Sequence, residues 1–178
     1  DKKITLIDYE YLTIDNNTRV VAFGRWAGIV GAYNGLRAYG KRYHKFDLKP
    51  AWQCRNKNDL FNQLKDIDPG NANILITGGG RVAQGAMETL SAAGIKKLMP
   101  GNYMNESFDH AVYCQLEPWD YVKRIDGQDF DLLHFFNFPE AYETIFLPYT
   151  QVTDLYIACH FWDPRSPVFM LPDDMRNE

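Results

Sequence analysis

Ile74-Leu75-Ile76-Thr77 is an apolar run that ends in three glycines, Gly78-Gly79-Gly80. Beyond them Val82, Ala86, Leu90 and Ala93 recur at helical spacing, with Gln84, Glu88 and Ser91 on a wetter face. The pattern predicts a strand, a tight turn and an amphipathic helix, which Gly94 ends as a C-cap glycine. Ile95 to Met99 and Ala111 to Leu116 predict two more strands, and Tyr121 to Gly127 a strand running into an Asp-Gly turn. Pro139 to Tyr149 predicts a helix begun by proline, with Glu140 and Glu143 near its positive end. Leu155 to Phe161 predicts a last buried strand, followed by an irregular crossing from Trp162 to Pro167. Strands alternating with helices predict an α/β fold with a parallel sheet.

The amino-terminal part reads differently. Ile4 to Leu12 predicts a strand or extended lead-in, and Asp15-Asn16-Asn17 a polar turn before Arg19 to Phe23. Gly24, Gly28, Gly31 and Gly35 then recur at spacings of four, three and four. On a helix they form one row that lets another backbone come close. A free-standing helix would lose roughly 1 kcal/mol per glycine relative to alanine. The row therefore predicts a helix packed tightly across a domain boundary, with an irregular glycine-rich loop as the alternative. Arg25 and Asn34 interrupt the run and argue against a membrane interface. Leu36 to Phe46 continues as a polar, basic and aromatic stretch. Leu60, Leu64 and Ile67 predict a short helix ended by Asp68-Pro69-Gly70. The expected organisation is an inter-domain segment over 1–70 and a nucleotide-binding α/β domain over 71–178, truncated at its C-terminal end.

Composition narrows the function. At 178 residues with 46% apolar positions, one main domain plus an appendage can bury a core, and no apolar run reaches the ~20 residues of a membrane span. A formal charge of -4 argues against a general nucleic-acid binder. Cys54, Cys114 and Cys159 are odd in number and widely spaced, which suggests neither a disulfide framework nor a zinc site. Reduced thiols in a soluble, cytoplasmic protein are the simpler expectation. The chain opens at Asp1 without an initiator methionine, consistent with an upstream segment removed or left out. His44, His110 and His134 have no spacing that suggests a metal or a triad.

The glycine turn carries the chemistry. Gly78-x-Gly80-x-x-Ala83 between a strand and a helix lets the backbone approach a phosphate, while the free N–H groups and dipole of the helix stabilise the anion. The expected ligand is a dinucleotide, NAD or NADP; the bland alternative is a turn that only packs a strand on a helix. An NAD site of this kind expects a carboxylate about 20 residues after the glycines, but the region reads Leu98-Met99-Pro100-Gly101-Asn102. Asn102 or a folded-back Glu106 are the local substitutes, and no arginine stands ready for a 2′-phosphate.

Asp8-Tyr9-Glu10-Tyr11-Leu12, Arg19-Val20-Val21-Ala22-Phe23-Gly24 and Ala27-Gly28-x-x-Gly31-Ala32 resemble the inter-domain segment of lysine-forming saccharopine dehydrogenases and lysine-ketoglutarate reductases. That family is similar to alanine dehydrogenase and transhydrogenase. Asp120 to Gly127, Pro139-Glu140-x-Tyr142 and Ile157 to Trp162 extend the resemblance over nearly the whole chain. It implies a Rossmann-like parallel sheet with flanking helices, and hydride exchange between NAD(P) and the secondary amine joining lysine to 2-oxoglutarate. It also implies a missing N-terminal domain carrying the acid–base lysine and histidine, so that this piece alone is inactive.

Carried over by position, Glu10 matches an acidic residue of the active-site cleft and Arg19 an arginine facing cofactor and substrate; as sequence alone they read as surface charges. Gly78, Gly79, Gly80, Arg81 and Val82 match the pyrophosphate turn, where Arg81 adds charge or is merely solvated. His160 and Phe161 follow the last strand, either on the nicotinamide side or as core residues. No metal is expected. Two rival functions stay open: alanine dehydrogenase-like chemistry, and a non-catalytic NAD(P)-sensing or assembly module. A third, a structural domain that has lost its ligand, is disfavoured by three glycines kept at a costly turn.

Overall fold

The computed structural model describes residues 3–15 and 18–176. A 3-10 turn at Tyr9–Tyr11 leads into a small antiparallel pair, β1 (Thr13–Ile14) and β2 (Thr18–Arg19). The predicted polar turn between them has Asn16 and Asn17 outside the described residues. Helix α1 spans Gly24–Arg42, so the glycine row is helical. A 3-10 turn at Ala51–Gln53 and helix α2 (Lys57–Asn62), capped by the Asn56 side chain on the Asp59 N–H, complete the amino-terminal part.

The glycine unit folds as its pattern predicts, into β3 (Asn73–Thr77) and α3 (Arg81–Ala92), with Gly94 at a φ of 73° closing the helix. Then follow β4 (Lys96–Leu98), α4 (Pro100–Asn105), β5 (Val112–Leu116), α5 (Pro118–Tyr121), β6 (Val122–Arg124) and α6 (Leu132–Asn137). A 3-10 turn at Pro139–Ala141 leads to β7 (Tyr142–Thr144), α7 (Leu147–Thr150) and β8 (Leu155–Ala158).

The helix predicted over Pro139 to Tyr149 is therefore not continuous. Tyr142–Thr144 pairs antiparallel with β6, with Arg124 opposite Tyr142 and Val122 opposite Thr144. Pro148 lacks the N–H that a helix running through it would need. Tertiary pairing and one proline together override the local signal.

Four strands form a wholly parallel sheet in the order β4-β5-β3-β8. With helices on both faces, the architecture is the Rossmann-like α/β arrangement. Ile74 and Ile76 face a core shared with α1 and α3, through Ile29, Ala32, Tyr33, Leu36, Ala83, Ala86 and Leu90. Leu75, Val112, Cys114 and Leu116 face the opposite core, with Tyr103, Tyr121, Phe135, Tyr142 and Phe146. Burial on both faces explains the continuous apolar run Ile74-Leu75-Ile76 of β3, while β5 keeps one polar position, Gln115.

Helices α1 and α3 meet backbone to backbone. A Cβ on Gly28 would overlap the Val82 carbonyl, and one on Gly85 the Arg25 carbonyl. Thr89 Oγ1 lies 3.2 Å from the Ile29 carbonyl oxygen, and Arg25 forks onto Glu88 through two 2.9 Å bonds while Lys57 reaches the same carboxylate. Glu88, expected on a wet face, thus ties three helices together. Gly31 faces open space, so the glycine row runs along the border of the buried stripe rather than down its centre. Among the described residues, no helix is long and apolar enough to cross a membrane.

Candidate functional site

Three strands of the sheet end at one edge, and their following residues enclose a cleft of about 650 Å³. From β3 come Gly78, Gly79 and Gly80, continuing into Arg81 and Val82 of α3; from β5 come Glu117, Pro118 and Trp119; from β8 come Cys159, His160 and Phe161. Tyr121 and, from α6, Leu132, Phe135 and Phe136 form the remaining wall. A parallel α/β sheet places its ligand crevice at this carboxyl edge.

The turn is shaped by contacts that only glycine permits. Gly78 has a φ of 95°, and a Cβ there would stand 2.8 Å from His160 Cα. Its N–H donates to the Leu116 carbonyl at 2.8 Å, and its own carbonyl accepts from Gln115 Nε2 at 3.0 Å. A Cβ on Gly79 would overlap the Glu117 carboxylate. Gly80 is the N-cap of α3 and offers no side chain to its first-turn amides. Those N–H groups have no carbonyl one turn back, so the turn opens a positive dipole end on the cleft.

His160 hangs over the turn. Its Nδ1 lies 2.6 Å from Thr77 Oγ1, which lies 2.9 Å from the Tyr156 hydroxyl. Burial raises the Tyr156 hydroxyl to about 12, so it stays protonated and can donate to Thr77. Thr77 then donates to Nδ1, leaving the opposite ring N–H of a neutral imidazole as a donor. Burial also pushes the imidazole below its ordinary value of 6.5. Between that lowered value and 6.5 the unfolded chain binds the proton better than the folded one, so His160 makes stability fall as pH drops through this window. We expect the urea midpoint of the native chain to fall between about pH 7.5 and about pH 5.5 by more than that of His160→Phe, which keeps the ring packing; equal falls would remove His160 from the account.

Cys159 and Cys114 are pushed up to about 11 and about 12 by burial, so both stay thiols and supply no thiolate nucleophile at neutral pH. Among the described residues, no group of three or more His, Cys, Asp or Glu is placed to hold a metal.

All seven residues expected to bind cofactor line this cleft: Gly78, Gly79, Gly80, Arg81, Val82, His160 and Phe161. Glu10 and Arg19 do not line it. They sit 3.7 Å apart, both more than half exposed, in an ion pair at the β1–β2 end of the chain; such pairs contribute little to stability.

The comparisons with known proteins agree with the resemblance read from the sequence. No family model matches the chain. It is 26% identical over 203 residues to mouse mitochondrial alpha-aminoadipic semialdehyde synthase, covering 99% of this chain and 22% of that protein. With the enzyme of that name from Arabidopsis thaliana it is 23% identical over 213 residues, covering 95% of this chain and 19% of that protein. It is 36% identical over 105 residues to the NAD(+), L-lysine-forming saccharopine dehydrogenase of Candida glabrata, covering 51% of this chain and 27% of that protein. The chain is similar to alpha-aminoadipic semialdehyde synthases and to a saccharopine dehydrogenase. It spans only about a fifth to a quarter of the length of these curated relatives.

The residues that sequence reasoning missed are Glu117, Trp119, Tyr121 and the α6 wall. Glu117-Pro118 carried a usable signal, since an acid ahead of a proline at the first helical position marks a helix start just after a strand. Asp131, whose side chain accepts from the His134 N–H, likewise announced α6. Nothing local placed either segment beside the glycine turn.

Proposed function

We propose that the cleft is the dinucleotide site of an NAD(P)-dependent oxidoreductase of saccharopine dehydrogenase type. The observation that carries the reading is the uncapped amino end of α3 behind Gly78-Gly79-Gly80, facing a largely apolar cleft at the carboxyl edge of a parallel sheet. The residues fit the group: the glycines admit a pyrophosphate, and Trp119, Phe136 and Phe161 offer exposed aromatic surface for planar rings. When bound, the nicotinamide supplies the hydride chemistry. The chain's own part is to hold the phosphates on the α3 amides, to keep water from the ring with aromatic side chains, and to present the N–H of a neutral His160.

By the resemblance carried by its sequence blocks, the reaction of the intact protein joins or separates lysine and 2-oxoglutarate. Glu10 and Arg19 would then act only with the domain expected upstream, turned from their mutual ion pair toward substrate. The chain alone binds cofactor without turnover in this reading. Its three free thiols favour a reducing compartment such as the cytoplasm. The rival reading as an NAD(P)-sensing module shares the site; it gains from the absence of Glu10 and Arg19 from the cleft. Turnover by the intact protein on lysine plus 2-oxoglutarate separates the two.

The test of the site is a fluorescence titration of the purified chain with NADH, exciting tryptophan and reading nicotinamide emission. Saturable energy transfer is expected, and of the four tryptophans Trp119, on the cleft wall, should supply the largest share. Trp119→Phe should cut the transfer more than the same change at Trp26, Trp52 or Trp162. A folded chain that gives no saturable signal contradicts the reading.

A further inference from the structure

Dinucleotide sites of this class usually grip the adenosine ribose with a carboxylate at the end of the strand that follows the glycine helix and lies beside the first strand. Here those two properties are split. The strand that follows α3 is β4, but it stands at the sheet edge and ends in Leu98-Met99-Pro100 without a carboxylate. The place beside β3 belongs to β5, in register from Asn73 opposite Val112 to Thr77 opposite Leu116. The residue that follows Leu116 is Glu117.

We propose that Glu117 is the acceptor for the ribose hydroxyls of the dinucleotide, and that it makes the site selective for NAD(H) over NADP(H). The inference rests on the dinucleotide reading of the cleft.

The carboxylate is fixed where such a group is needed. It lies against Gly79, so closely that a side chain there would displace it. Gln115 Nε2 donates to Glu117 Oε1 at 2.7 Å and to the Gly78 carbonyl at 3.0 Å, tying the carboxylate to the turn. Glu117 also opens α5 in a capping box with Asp120, whose Oδ2 accepts the Glu117 N–H at 2.8 Å. An ionised carboxylate offers about four acceptor positions, and this half-buried one keeps capacity on the side that lines the cleft. A vicinal ribose diol supplies two O–H donors to such a group. A 2′-phosphate supplies negative charge instead, and a carboxylate repels it. Among the described residues Arg81, exposed at the lip, is the one lysine or arginine on the cleft wall and the natural competitor for a phosphate.

The experiment is a parallel titration of the native chain and Glu117→Gln with NADH and NADPH, followed by calorimetry, with circular dichroism to confirm folding. Glutamine keeps the shape and removes the charge. The native chain should bind NADH at least about tenfold more tightly than NADPH. Glu117→Gln should weaken NADH by about tenfold and bring the two affinities together. Tightening of both nucleotides equally in Glu117→Gln would mean that the carboxylate only opposes the pyrophosphate, and would overturn the assignment. So would a native preference for NADPH, which would give the specificity to Arg81, or a preference for NADH untouched by the substitution. A folded native chain that binds neither nucleotide sinks the dinucleotide reading itself, and the assignment of Glu117 with it.

Discussion

Replacing Gly28 or Gly85 with alanine should destabilise the fold by about 3 kcal/mol or more, at the upper end of what overpacking a close contact costs. For a domain of this size that is a fall in melting temperature of roughly 6–12 °C. The reason is the α1–α3 contact. Each added methyl would collide with a backbone carbonyl of the opposite helix, Val82 for Gly28 and Arg25 for Gly85. A carbonyl held in a helical ladder cannot swing aside as a side chain can. The helices must separate, loosening the Thr89–Ile29 bond and the Arg25–Glu88 fork that cross the same seam. Gly31→Ala is the internal control: nothing lies within 4 Å of its added carbon. On the same helix it should stabilise by about 0.5–1 kcal/mol, because alanine loses less backbone entropy than glycine. Thermal melts of the three variants check the contrast. Equal effects at all three positions would mean that helix propensity, not the seam, governs this helix.

The second large effect falls on the turn itself. Gly78→Ala should cost about 2–4 kcal/mol, combining a strained left-handed φ with a clash. The added carbon would meet His160 Cα at 2.8 Å, its N at 2.9 Å and the Cys159 carbonyl at 3.0 Å, all main-chain atoms. Relief moves the turn away from β8 and so widens the cleft at its phosphate end. NADH affinity should therefore drop by at least about tenfold, or ~1.4 kcal/mol, even at temperatures where the variant stays folded. Gly80→Ala is the informative partner, since space around that position is open. It should cost no more than about 1 kcal/mol, the ordinary difference between glycine and alanine at a helix N-cap, so a loss of NADH binding while the variant stays folded reports contact with the ligand rather than damage to the fold.

The strand, turn and helix around Gly78 to Gly80 were legible because three local signals agree: a β-prone apolar run, a glycine turn, and a 3.6-residue repeat closed by Gly94. The close approach of α1 to another backbone was legible in part: Gly28 sits against the Val82 carbonyl as the glycine row predicts, while Gly31 of the same row faces open space. Strand order was not. Whether β4 or β5 lies beside β3 depends on parallel pairing between segments about forty residues apart, and the sequence of neither strand records its neighbour. That gap hid Glu117, because a carboxylate sought on the strand after α3 is missing there and stands instead at the end of the next. The aromatic wall was hidden for a different reason. Helix α6 is only six residues long, with His134 and Asn137 its polar positions, too short a stretch for periodicity to mark which rings face the cleft. Glu10 and Arg19 came from resemblance alone, and the structure pairs them with each other away from the cleft.

The most direct measurement is amide hydrogen exchange of the chain with and without saturating NADH. The account predicts slowed exchange at the amides of residues 79–83, where the first turn of α3 would donate to the pyrophosphate, and at residues 117–119 and 159–161 on the other walls. Protection confined to some other surface, or a folded chain whose exchange at residues 79–83 is untouched by bound NADH, would contradict it.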